Sequence, residues 1–496
     1  MYFERTKFLI VGMSGSGRAA CRLLLGYNAK VAIFDENPSA EVKKTMKVLE
    51  EGGAVVVGND GINAAVGNAD VIVLSPGVPV DNKIPALAAE KGKCVIGELE
   101  LGYLVSRCPI VAITGTNGKT TTCSLVYEIL QKAGVNSVLA GNVGVPFTSV
   151  VCNCDEKTVA VLEVSSFQLE TTRKLTPHIA CILNITPDHL NRHYNMDNYV
   201  YLKSKLLSGL GESEYAVLSA DDDIVRRLGE NTRAKKVYFS VSKQTNGAYV
   251  SDGKIFWRGK EIMPMSDLKL KGIHNAENAL AAVCIAKILG VDDKQVALAI
   301  SQFAGVKHRQ EKIGEKDGIV FIDDSKATNP DSALKAVESC GKSLVLLVGG
   351  IDKGFGYNDF FIKVAESGNV RALVVYGQSR KELYRAAESA GIDDIYLSVG
   401  FDSAVKTAFD IAKKGDTVLL SPACSSFDEF SGFEERGNAY AALVRDFAGV
   451  SKSGAEKEYS SDGEAEKVSR RDDFCAELTV ASDGSGRIND DELDDE

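Results

Sequence analysis

The stretch that decides the fold is PIVAITGTNGKTTTCSLVYEILQKAG, residues 109–134. An apolar run typical of a buried strand leads into a glycine loop, and the loop leads into the apolar spacing of an amphipathic helix. Phosphate-binding loops share this order, but they place four residues between the first glycine and the Gly-Lys pair. Here only Thr116 and Asn117 separate Gly115 from Gly118. The stretch predicts a strand–loop–helix unit, and it leaves open a nucleotide site or an ordinary glycine turn.

The same order of strand, loop and helix recurs along the whole chain. Upstream strands are predicted in KFLIV (7–11), KVAIFD (30–35) and DVIVLSPGVP (70–79). Downstream strands are predicted in KTVAVLEVSS (157–166), HIACILNITPDHL (178–190), IVFIDDSKATNP, SLVLLVGGIDKG, RALVVYGQS and DTVLLSPACSSFDEF. Strands that alternate with helices form parallel, doubly wound sheets. We therefore predict an α/β fold with domains at residues 1–108, 109–304 and 305–450, followed by a tail at 451–496.

Composition points to a soluble globular protein, with 45% hydrophobic and 25% charged residues. No run of about 18 apolar residues occurs, so no membrane insertion is expected. The N-terminus, MYFERTKFLIVG, lacks the apolar core and cleavage site of a signal peptide. The 11 cysteines form neither a paired framework nor a zinc-site pattern. Reduced thiols and a cytoplasmic location are expected.

The negative charge is concentrated at the C-terminal end. Of the net charge of −11, the tail at 451–496 carries −9, with 15 acidic and 6 basic residues, and the rest of the chain carries −2. Neither part resembles a basic nucleic-acid surface, so no nucleic-acid partner is expected. The tail is rich in Ser, Gly, Asp and Glu, which predicts disorder. A solvating extension and a partner-binding arm both fit it.

The first domain has its own glycine turn, at Gly12, Gly15 and Gly17. This spacing is not that of the dinucleotide fingerprint, which argues against a nicotinamide-dependent dehydrogenase. Asp35 ends the next strand, where such folds hold a ribose or a similar diol. A nucleotide-type ligand and a tight turn without a ligand remain open.

Polar side chains follow the strands of the second domain, at the sheet edge where ligands gather in open α/β folds. Lys119 supplies a cation for phosphates, and Thr120 offers a hydroxyl to Mg²⁺. Glu163 follows an apolar strand, and a carboxylate there is costly unless it binds a cation. It is predicted to be a Mg²⁺ ligand, or else to pair with a core lysine.

The segment TPDHLNRH presents Asp188 and His189 after another apolar strand. A single histidine is often structural, but a histidine at this rim is also a candidate ligand or acid–base group.

Several longer motifs occur in order: TGTNGKTT, LEVSSFQLE, NITPDHLNRH, NYVYLKSK, GIHNAENALAA, HRQE, DDSKATNP, GGIDKG and SPACSSFDEFSGFEERG. Together they resemble the Mur ligases, the cytoplasmic ATP-dependent amino-acid ligases of peptidoglycan synthesis, over about residues 7–446. The glycine loop and the Asp-His element fit the whole superfamily, including folylpolyglutamate synthases. DDSKATN and SPACSSFDEF with FEERG are more selective, and they resemble the branch that adds D-glutamate.

The resemblance implies a Rossmann-like N-terminal domain for a UDP-sugar, a central P-loop-type ATPase domain and a C-terminal Rossmann-like domain for the amino acid. The implied reaction transfers the γ-phosphoryl group of ATP to a carboxylate, and an amine then attacks the acyl phosphate. The implied substrates are UDP-N-acetylmuramoyl-L-alanine and D-glutamate, the cofactors are ATP and Mg²⁺ at two sites, and a monomer is expected. The residues that the resemblance assigns to ATP are Gly115, Thr116, Asn117, Gly118, Lys119, Thr120, Thr121, Asn275, His308, Arg309 and Asp324.

The resemblance also assigns the metals. Thr120 and Glu163 are expected to serve the first Mg²⁺, and His189 the second, supported by a carbamylated lysine four residues after a tyrosine. In NYVYLKSK the tyrosine is Tyr199 and the lysine is Lys203. A carbamate replaces an ammonium, which Mg²⁺ repels, by a carboxylate-like anion. Two surface lysines on an amphipathic helix are the alternative.

In the third domain the resemblance implies a D-glutamate site. A lysine and hydroxyls in a strand-exit loop suit a substrate with two carboxylates. Relatives that add a diamino acid or a dipeptide differ in DDSKATN, which makes Lys326 the discriminating residue. The residues expected at D-glutamate are Lys326, Thr328, Lys353, Ser426, Phe427 and Phe433.

The UDP-sugar is expected to contact residues of the first domain and the loop GNVG. The residues assigned to it are Ser14, Gly15, Ser16, Asp35, Ser75, Pro76, Gly77 and Asn142. The sequence departs from some relatives at Glu36, where they carry a hydroxyl residue, and the tail has no counterpart in the pattern.

Two other functions remain open at this stage. One is a related amide ligase with another amino acid, of the folylpolyglutamate synthase type, which is not expected to keep both DDSKATN and SPACSSFDEF. The other is a nonenzymatic nucleotide-binding protein, against which the intact set of Lys119, Glu163, His189 and Lys203 argues.

Overall fold

Three α/β units follow one another along the chain in the computed structural model, which describes residues 3–270, 272–352 and 356–448. Each unit is built on its own sheet of mostly parallel strands, and a small antiparallel sheet accompanies the second unit. The predicted α/β fold class is confirmed. Lys353 and the predicted tail lie outside the described residues.

The first unit has a five-stranded parallel sheet with helices around it. Its strands are β1 (Lys7–Val11), β2 (Lys30–Phe34), β3 (Val55–Val56), β4 (Val71–Leu74) and β5 (Cys94–Gly97). Its helices are α1 (Gly15–Gly26), α2 (Ala40–Glu51), α3 (Ile62–Asn68), α4 (Lys83–Glu90) and α5 (Glu98–Val105). The strand order is β3-β2-β1-β4-β5. The order reverses between β1 and β4, which opens a crevice at the carboxyl ends of these two strands.

The turn after β1 requires glycine. A Cβ on Gly17 would lie 1.9 Å from the carbonyl oxygen of Gly12, and Gly12 itself has φ +87°. Helix α1 therefore packs directly against the turn, and its first residues lie at the crevice.

The second unit has a six-stranded parallel sheet and the small antiparallel sheet. The parallel strands are β6 (Ile110–Thr114), β7 (Ser137–Gly141), β8 (Val159–Glu163), β9 (Ile179–Ile182), β10 (Tyr215–Ser219) and β11 (Lys235–Phe239). The antiparallel strands are β12 (Ala248–Ser251), β13 (Lys254–Trp257) and β14 (Lys260–Pro264). Its helices are α6 (Lys119–Lys132), α7 (Ser166–Leu169), α8 (Leu190–His193), α9 (Met196–Ser208), α10 (Asp223–Glu230), α11 (Ile273–Ile288) and α12 (Asp293–Gln302). The parallel order is β11-β10-β9-β6-β8-β7, so β6 and its glycine loop lie near the centre.

The third unit has a six-stranded sheet with one antiparallel edge strand. Its strands are β15 (Glu311–Lys316), β16 (Ile319–Asp323), β17 (Leu344–Gly349), β18 (Val370–Tyr376), β19 (Ile395–Leu397) and β20 (Thr417–Ala423). Its helices are α13 (Pro330–Ser339), α14 (Asn358–Ser367), α15 (Arg380–Ser389), α16 (Phe401–Ile411) and α17 (Phe433–Ala448). The order is β15-β16-β20-β17-β18-β19, with β15 antiparallel to β16. The predicted boundaries fall between α5 and β6 and between α12 and β15, and the domain limits themselves stay predictions.

Several strands are shorter than their sequence segments suggest. β8 covers Val159–Glu163, whereas the expected strand spans residues 157–166, because Ser165 already caps helix α7. The Ser165 hydroxyl accepts a hydrogen bond from the Gln168 amide, and the Gln168 side chain accepts one from the Ser165 amide. The spacing SSFQ is a helix-start signal that the apolar pattern concealed.

The antiparallel sheet of the second unit was not predicted. Its two turns place Asp252-Gly253 and Arg258-Gly259 in left-handed backbone, with φ between +48° and +86°. Residue pairs ending in glycine favour tight hairpins because both central positions need positive φ. These two turns are the local signal for the three strands.

Among the described residues, none of the helices combines the length and apolarity needed to cross a membrane.

A buried carboxyl group lies where the first unit meets the second. Glu98 begins α5, and its Oε1 accepts hydrogen bonds from the Thr148 amide and hydroxyl, both at 2.7 Å. Its Oε2 has no hydrogen-bond partner among the described residues. Burial is the largest effect and raises the pKa of Glu98 above its ordinary value of 4.5, although the hydrogen bonds from Thr148 oppose it.

This raised pKa predicts a pH-dependent stability. Well below pH 4.5 both the folded and the unfolded chain keep Glu98 protonated. As pH rises from 4.5 to the higher folded-state pKa, the unfolded chain releases its proton while the folded chain keeps it, so the free energy of unfolding falls. Glu98→Gln is uncharged throughout and should show a smaller fall, with a midpoint temperature at pH 8 above that of the wild type by on the order of 2–4 °C. Thermal unfolding at pH 4.5 and pH 8 measures this, and equal pH dependence in both proteins would contradict it.

Candidate active site

The loop between β6 and α6 has the geometry of an anion-binding turn. Gly118 precedes α6 with φ +84°, and a Cβ there would lie 2.1 Å from the Asn278 side-chain oxygen. The amides of the first turn of α6 lie at the positive end of a helix of 14 residues. The two-residue spacing therefore still places a left-handed glycine and a helix N-terminus directly after β6.

The loop is held by the residues that follow β9. The Asn184 side chain accepts a hydrogen bond from the Asn117 amide at 2.9 Å and donates to the Asn117 carbonyl oxygen at 3.1 Å. The Thr116 hydroxyl donates to the Thr186 carbonyl oxygen and accepts from the Thr186 amide, both at 2.9 Å. These paired contacts fix the loop against the neighbouring strand exit.

Lys119 is the first residue of α6, and it folds back over the loop. Its Nζ donates hydrogen bonds of 2.8 Å to the carbonyl oxygens of Gly115 and Thr116. The amine of Lys119 therefore lies against the backbone carbonyl groups of the loop.

Glu163 and Thr120 lie in direct contact. Glu163 ends β8 and is buried, its Oε2 accepts from the Thr120 hydroxyl at 2.7 Å, and its Oε1 accepts from the Asn142 amide group at 2.8 Å. A buried carboxylate and a hydroxyl, both hard oxygen donors, face each other beside the phosphate-type loop. Asn142, expected at the UDP-sugar, contacts Glu163 here.

Lys203 on α9 is fully buried and points at the same loop. Its Nζ donates to the Gly115 carbonyl oxygen at 2.8 Å and lies 4.6 Å from the centre of the Tyr199 ring. Burial first, and then repulsion from Lys119, hold the pKa of Lys203 well below its usual range, while the charges of Asp188 and Glu163 act in the opposite direction. The amine of Lys203 is therefore shielded from water and held against the glycine loop.

Lys205, two residues further, faces another direction. Its Nζ donates to the carbonyl oxygens of Leu169 and Glu170 at the end of α7. The helical spacing separated the two lysines as expected.

His189 and Asp188 lie at the start of α8. His189 adopts left-handed backbone with φ +54°, its amide donates to Asp188 Oδ1 at 2.9 Å, and its ring packs edge-on against Phe167 at 4.8 Å. Asp188 is buried, and its Oδ2 accepts from the Asn329 amide group of the third unit at 3.3 Å. The sequence indicated Asp188 together with His189, but only the structure shows that Asp188 contacts the third unit.

A cavity of about 420 Å³ opens between the second and third units next to the loop. Asn184, His274 and Glu277 line it from the second unit, and Lys335 and Ser339 from the third. Burial lowers the pKa of His274 to about 4, helped by the positive charges of Arg309 and Lys335, so this imidazole is neutral at physiological pH.

The polar residues in the first turns of α11 were only partly foreseen. Asn275 was expected, and it is buried at the start of α11. His274 beside it and Asn278 one turn later were not named. The Asn278 side chain accepts from the Thr122 hydroxyl and packs against Gly118. The motif GIHNAEN contained both residues at helical spacing, which was the available signal.

Three expected ATP residues of the third unit separate into two groups. Arg309 donates to the Ser332 hydroxyl at 2.7 Å, and its Nε lies 4.0 Å from Asp324 Oδ1. Burial raises the pKa of Asp324 to about 6 against the opposing charge of Arg309. His308 instead lies 2.7 Å, Nδ1 to Oδ2, from Asp323. His308 is thus held against the end of β16, next to Asp323.

The expected amino-acid residues that the structure describes follow β16 or β20 or begin α17. The Nζ of Lys326 lies 4.2 Å from the centre of the Phe433 ring, and Ser426 is buried while Phe427 is exposed. Burial lowers the pKa of Lys326, and among the charges that act on it are those of Glu163 and Lys119. The Thr328 amide donates to the Lys326 carbonyl oxygen. Lys326 therefore lies within electrostatic reach of the loop, although the two belong to different units.

Arg436 is a residue that the sequence did not single out beyond its motif, FEERG. It is fully buried, and it donates to Ser325 and to the carbonyl oxygens of Gly349 and Cys424. It ties the exits of β16, β17 and β20 together, which supports the loop that carries Lys326.

Apart from Asn142, the expected UDP-sugar residues lie at the carboxyl ends of β1, β2 and β4 in the first unit. Asp35 accepts from the Met13 amide at 2.8 Å, and the Ser75 hydroxyl donates to the Gly12 carbonyl oxygen at 2.7 Å. Ser14, Gly15 and Ser16 form the start of α1, and Pro76 and Gly77 follow Ser75 after β4. A cavity of about 800 Å³ adjoins Asp35 and Glu36.

Comparison with known proteins matches two family models to this chain. Residues 113–286 match the Mur ligase middle domain, and residues 308–424 match the Mur ligase glutamate ligase domain. A UDP-N-acetylmuramoylalanine–D-glutamate ligase from Pelotomaculum thermopropionicum is 42% identical over 454 residues, 89% of this chain and 98% of that protein. A ligase of the same name from Streptococcus equi subsp. zooepidemicus is 37% identical over 442 residues, 89% of this chain and 97% of that protein.

Solved structures share the fold at lower identity. UDP-N-acetylmuramate-alanine ligase MurC from Thermotoga maritima superposes with a TM-score of 0.57 at 20% identity. The superposition covers 89% of this chain and 100% of the MurC chain. MurF from Acinetobacter baumannii superposes with a TM-score of 0.58 at 16% identity, covering 88% of this chain and 93% of that one. The chain belongs to the Mur ligases, in the family of the UDP-N-acetylmuramoylalanine–D-glutamate ligases.

Proposed function

We propose that this chain joins D-glutamate to UDP-N-acetylmuramoyl-L-alanine at the expense of ATP, through an acyl phosphate, in the synthesis of peptidoglycan precursors. The observation that carries the proposal is the contact of the segment after β16 with the second unit, where the Asn329 side-chain amide donates to Asp188. Lys326 belongs to the same segment, and the charges of Glu163 and Lys119 are among those that act on it. An acidic amino acid held by Lys326 would lie near the point where the carboxylate of the other substrate is activated.

The residues around Glu163 fit a Mg²⁺ ion. The Thr120 hydroxyl and the buried Glu163 carboxylate are hard oxygen donors 2.7 Å apart, directly after the Gly-Lys pair. Thr120 and Glu163 would hold one ion, and His189 with a modified Lys203 would hold a second. A bound Mg²⁺ would neutralise charge on the phosphate oxygens of ATP.

Lys203 fits the expected carbamate. Burial and the charge of Lys119 lower the pKa of Lys203, which favours the neutral amine, and a neutral amine can add to CO2 to form a carbamate with release of one proton. The product is an anion, which the charge of Lys119 attracts. The contact with the Gly115 carbonyl oxygen shows that the Lys203 side chain reaches the phosphate-binding loop.

The expected ATP residues, with His274 added, have complementary tasks in this proposal. The amides of the first turn of α6 and Lys119 hold the β- and γ-phosphates in line with the carboxylate of the UDP-sugar substrate. His274 and Asn275 with the third unit's Arg309 and Asp324 enclose the nucleoside. When the carboxylate oxygen attacks the γ-phosphorus, the bond to the β-phosphate oxygen breaks, and Lys119 stabilises the charge that develops there.

The second step uses the third unit. Lys326, Thr328, Lys353, Ser426, Phe427 and Phe433 form the proposed D-glutamate site. The amino group of D-glutamate, having lost one proton, attacks the acyl carbon and forms the C–N bond. Phosphate leaves with the C–O bond electrons, and the nitrogen gives up a second proton, to the departing phosphate or to water, to become the amide. Lys326 attracts the carboxylates of the amino acid towards the loop. The UDP part of the substrate is placed in the first unit by Ser14, Gly15, Ser16, Asp35, Ser75, Pro76 and Gly77.

Amino-acid dependence of ATP turnover tests the proposed function. Release of phosphate from ATP should require both UDP-N-acetylmuramoyl-L-alanine and D-glutamate, because the acyl phosphate forms only on the first and is discharged by the second. L-glutamate or a diamino acid should give turnover at least about 100-fold lower, since a site built for hydrogen bonds rejects ligands that leave them unpaired. A phosphate assay with each amino acid, and mass analysis of the product, measure this. Equal release with L-glutamate would contradict the assigned specificity.

We also place the active chain in the cytoplasm as a monomer. Reduced thiols agree with that location, since the ten cysteines within the described residues are all free. Light scattering of the full chain at micromolar concentration tests the monomer.

A further inference from the structure

The first turn of α13 connects the segment that carries Lys326 to the glycine loop between β6 and α6, which is called the ATP loop below. Helix α13 begins with Pro330 and Asp331, directly after the segment that carries Lys326 and Thr328. Its N-cap residue, Asn329, uses its side-chain oxygen to accept from the Ser332 amide at 2.8 Å and its amide group to donate to Asp188 at 3.3 Å. The N-cap of α13 therefore contacts the second unit through Asn329.

Asp331 makes the denser set of contacts. Its Oδ2 accepts from the Asn117 side-chain amide at short distance, from the Thr186 hydroxyl at 3.2 Å and from Lys335 Nζ at 3.1 Å. Asn117 lies in the glycine loop and Thr186 in the exit of β9, so two donors belong to the second unit. The third, Lys335, lies one turn along the same helix as Asp331. One carboxylate oxygen of the third unit thus contacts both the glycine loop and the segment that follows β9.

The backbone of each of the two donors from the second unit is held by contacts within that unit. The Asn117 backbone is fixed by its paired contacts with Asn184, and the Thr186 amide by Thr116. Hydrogen bonds to a charged acceptor are stronger than neutral ones, and fixed donors lose little freedom in making them. The geometry therefore favours one placement of α13 on the loop.

We propose that Asp331 is a positioning residue that fastens the third unit onto the ATP loop through Asn117 and Thr186, and so keeps the amino-acid site closed over the acyl phosphate. This inference rests on the proposed function. A loosened contact would let water reach the acyl phosphate. Water would then hydrolyse the C–O–P linkage to carboxylate and phosphate, and no amide would form. Asp331 thereby couples ATP consumption to ligation.

An acidic residue in a first helical turn also stabilises the helix itself by its charge. Asp359 is the matched control, because it occupies the second position of α14 in the same unit and is exposed. If helix charge alone mattered, Asp331→Ala and Asp359→Ala would behave alike.

The test compares Asp331→Ala, Asp331→Asn, Thr186→Val, the Asp331→Ala/Thr186→Val double variant and Asp359→Ala in the full chain. Asp331→Ala should lower kcat/KM for D-glutamate by about 10- to 100-fold. It should also raise the ratio of phosphate released to amide formed above the wild-type value, and leave KM for the UDP-sugar unchanged. Asp331→Asn keeps an acceptor for Asn117 and Thr186 and should stay within about fivefold of the wild type. Asp359→Ala should match the wild type in every measurement.

The double variant separates coupling from general damage. If Asp331 acts through Thr186, the loss caused by Asp331→Ala should be smaller in the Thr186→Val background than in the wild type. Additive losses, or an unchanged phosphate-to-amide ratio in Asp331→Ala, would overturn the proposal.

Hydrogen exchange distinguishes a failure of this inference from a failure of the proposed function. In the substrate-free full chain, Asp331→Ala should speed exchange of the amides at 115–121, and Asp359→Ala should not. A wild-type chain that forms no amide would refute the function while exchange still decides the contact. Unchanged exchange at 115–121 in Asp331→Ala would overturn the contact itself.

Discussion

Lys119→Ala is expected to lower kcat by on the order of 10³-fold, with folding intact. Lys119 donates to the carbonyl oxygens of Gly115 and Thr116, so its amine already lies over the loop where phosphates would sit. Phosphoryl transfer leaves little covalent chemistry to the protein, and stabilisation of developing charge supplies most of the acceleration. Steady-state assays of phosphate release at saturating ATP measure this loss.

Lys132→Ala is the matched control for this variant. Lys132 ends the same helix, α6, and pairs with Glu128 and Gln302 away from the loop. It should retain wild-type turnover, since an exposed pair of this kind contributes little to stability. If Lys119→Ala and Lys132→Ala lose activity equally, Lys119 has no special role in the transfer.

Lys203→Ala is expected to lower turnover by about 10²- to 10³-fold, and a small carboxylic acid such as formate or acetate should restore part of it. The substitution removes the amine that would carry the carbamate and leaves a buried space beside Gly115 and Tyr199. A carboxylate of suitable size can return the missing negative charge to that space. Bicarbonate should not rescue, because no amine remains to form a carbamate. Turnover measured against acid concentration should therefore rise and saturate.

Lys205→Ala provides the control on the same helix. Lys205 lies two residues away and donates to backbone oxygens at the end of α7. It should keep activity and show no response to added acid. Full activity of Lys203→Ala without any acid would refute the carbamate, and equal rescue of both variants would assign the acid effect to the medium.

Much of the site could be read from the sequence because it lies at strand ends. Gly118, Lys119 and Thr120 follow β6, and Glu163 ends β8, where parallel strands bring polar residues to one edge. Alternation of apolar runs with helical spacing was enough to predict that edge. The choice of Lys203, four residues after Tyr199, came from the family resemblance, and helical geometry added that Lys205, two residues further, faces another direction.

Other parts of the site could not be read because their signals are weak or nonlocal. The hairpins of β12 to β14 depend on glycine turns that resemble ordinary loops. The contact of His308 with Asp323 was not foreseen, because it is fixed by packing across β16 rather than by spacing, and the place of His308 at ATP stays a prediction. Asn278 became visible only because Gly118 packs against it. That close approach depends on how α11 lies across α6.

The sequence by itself determined the order of the three α/β units, the shortened phosphate-type loop and the residue types at the strand exits. These follow from local rules, since apolar periodicity, glycine placement and helix spacing act over a few residues. Only the tertiary structure decided which exits meet. Burial together with the neighbouring Lys119 depresses the pKa of Lys203, and three donors converge on one oxygen of Asp331. Desolvation and charge proximity depend on segments far apart in the chain, and local sequence carries no record of those distances.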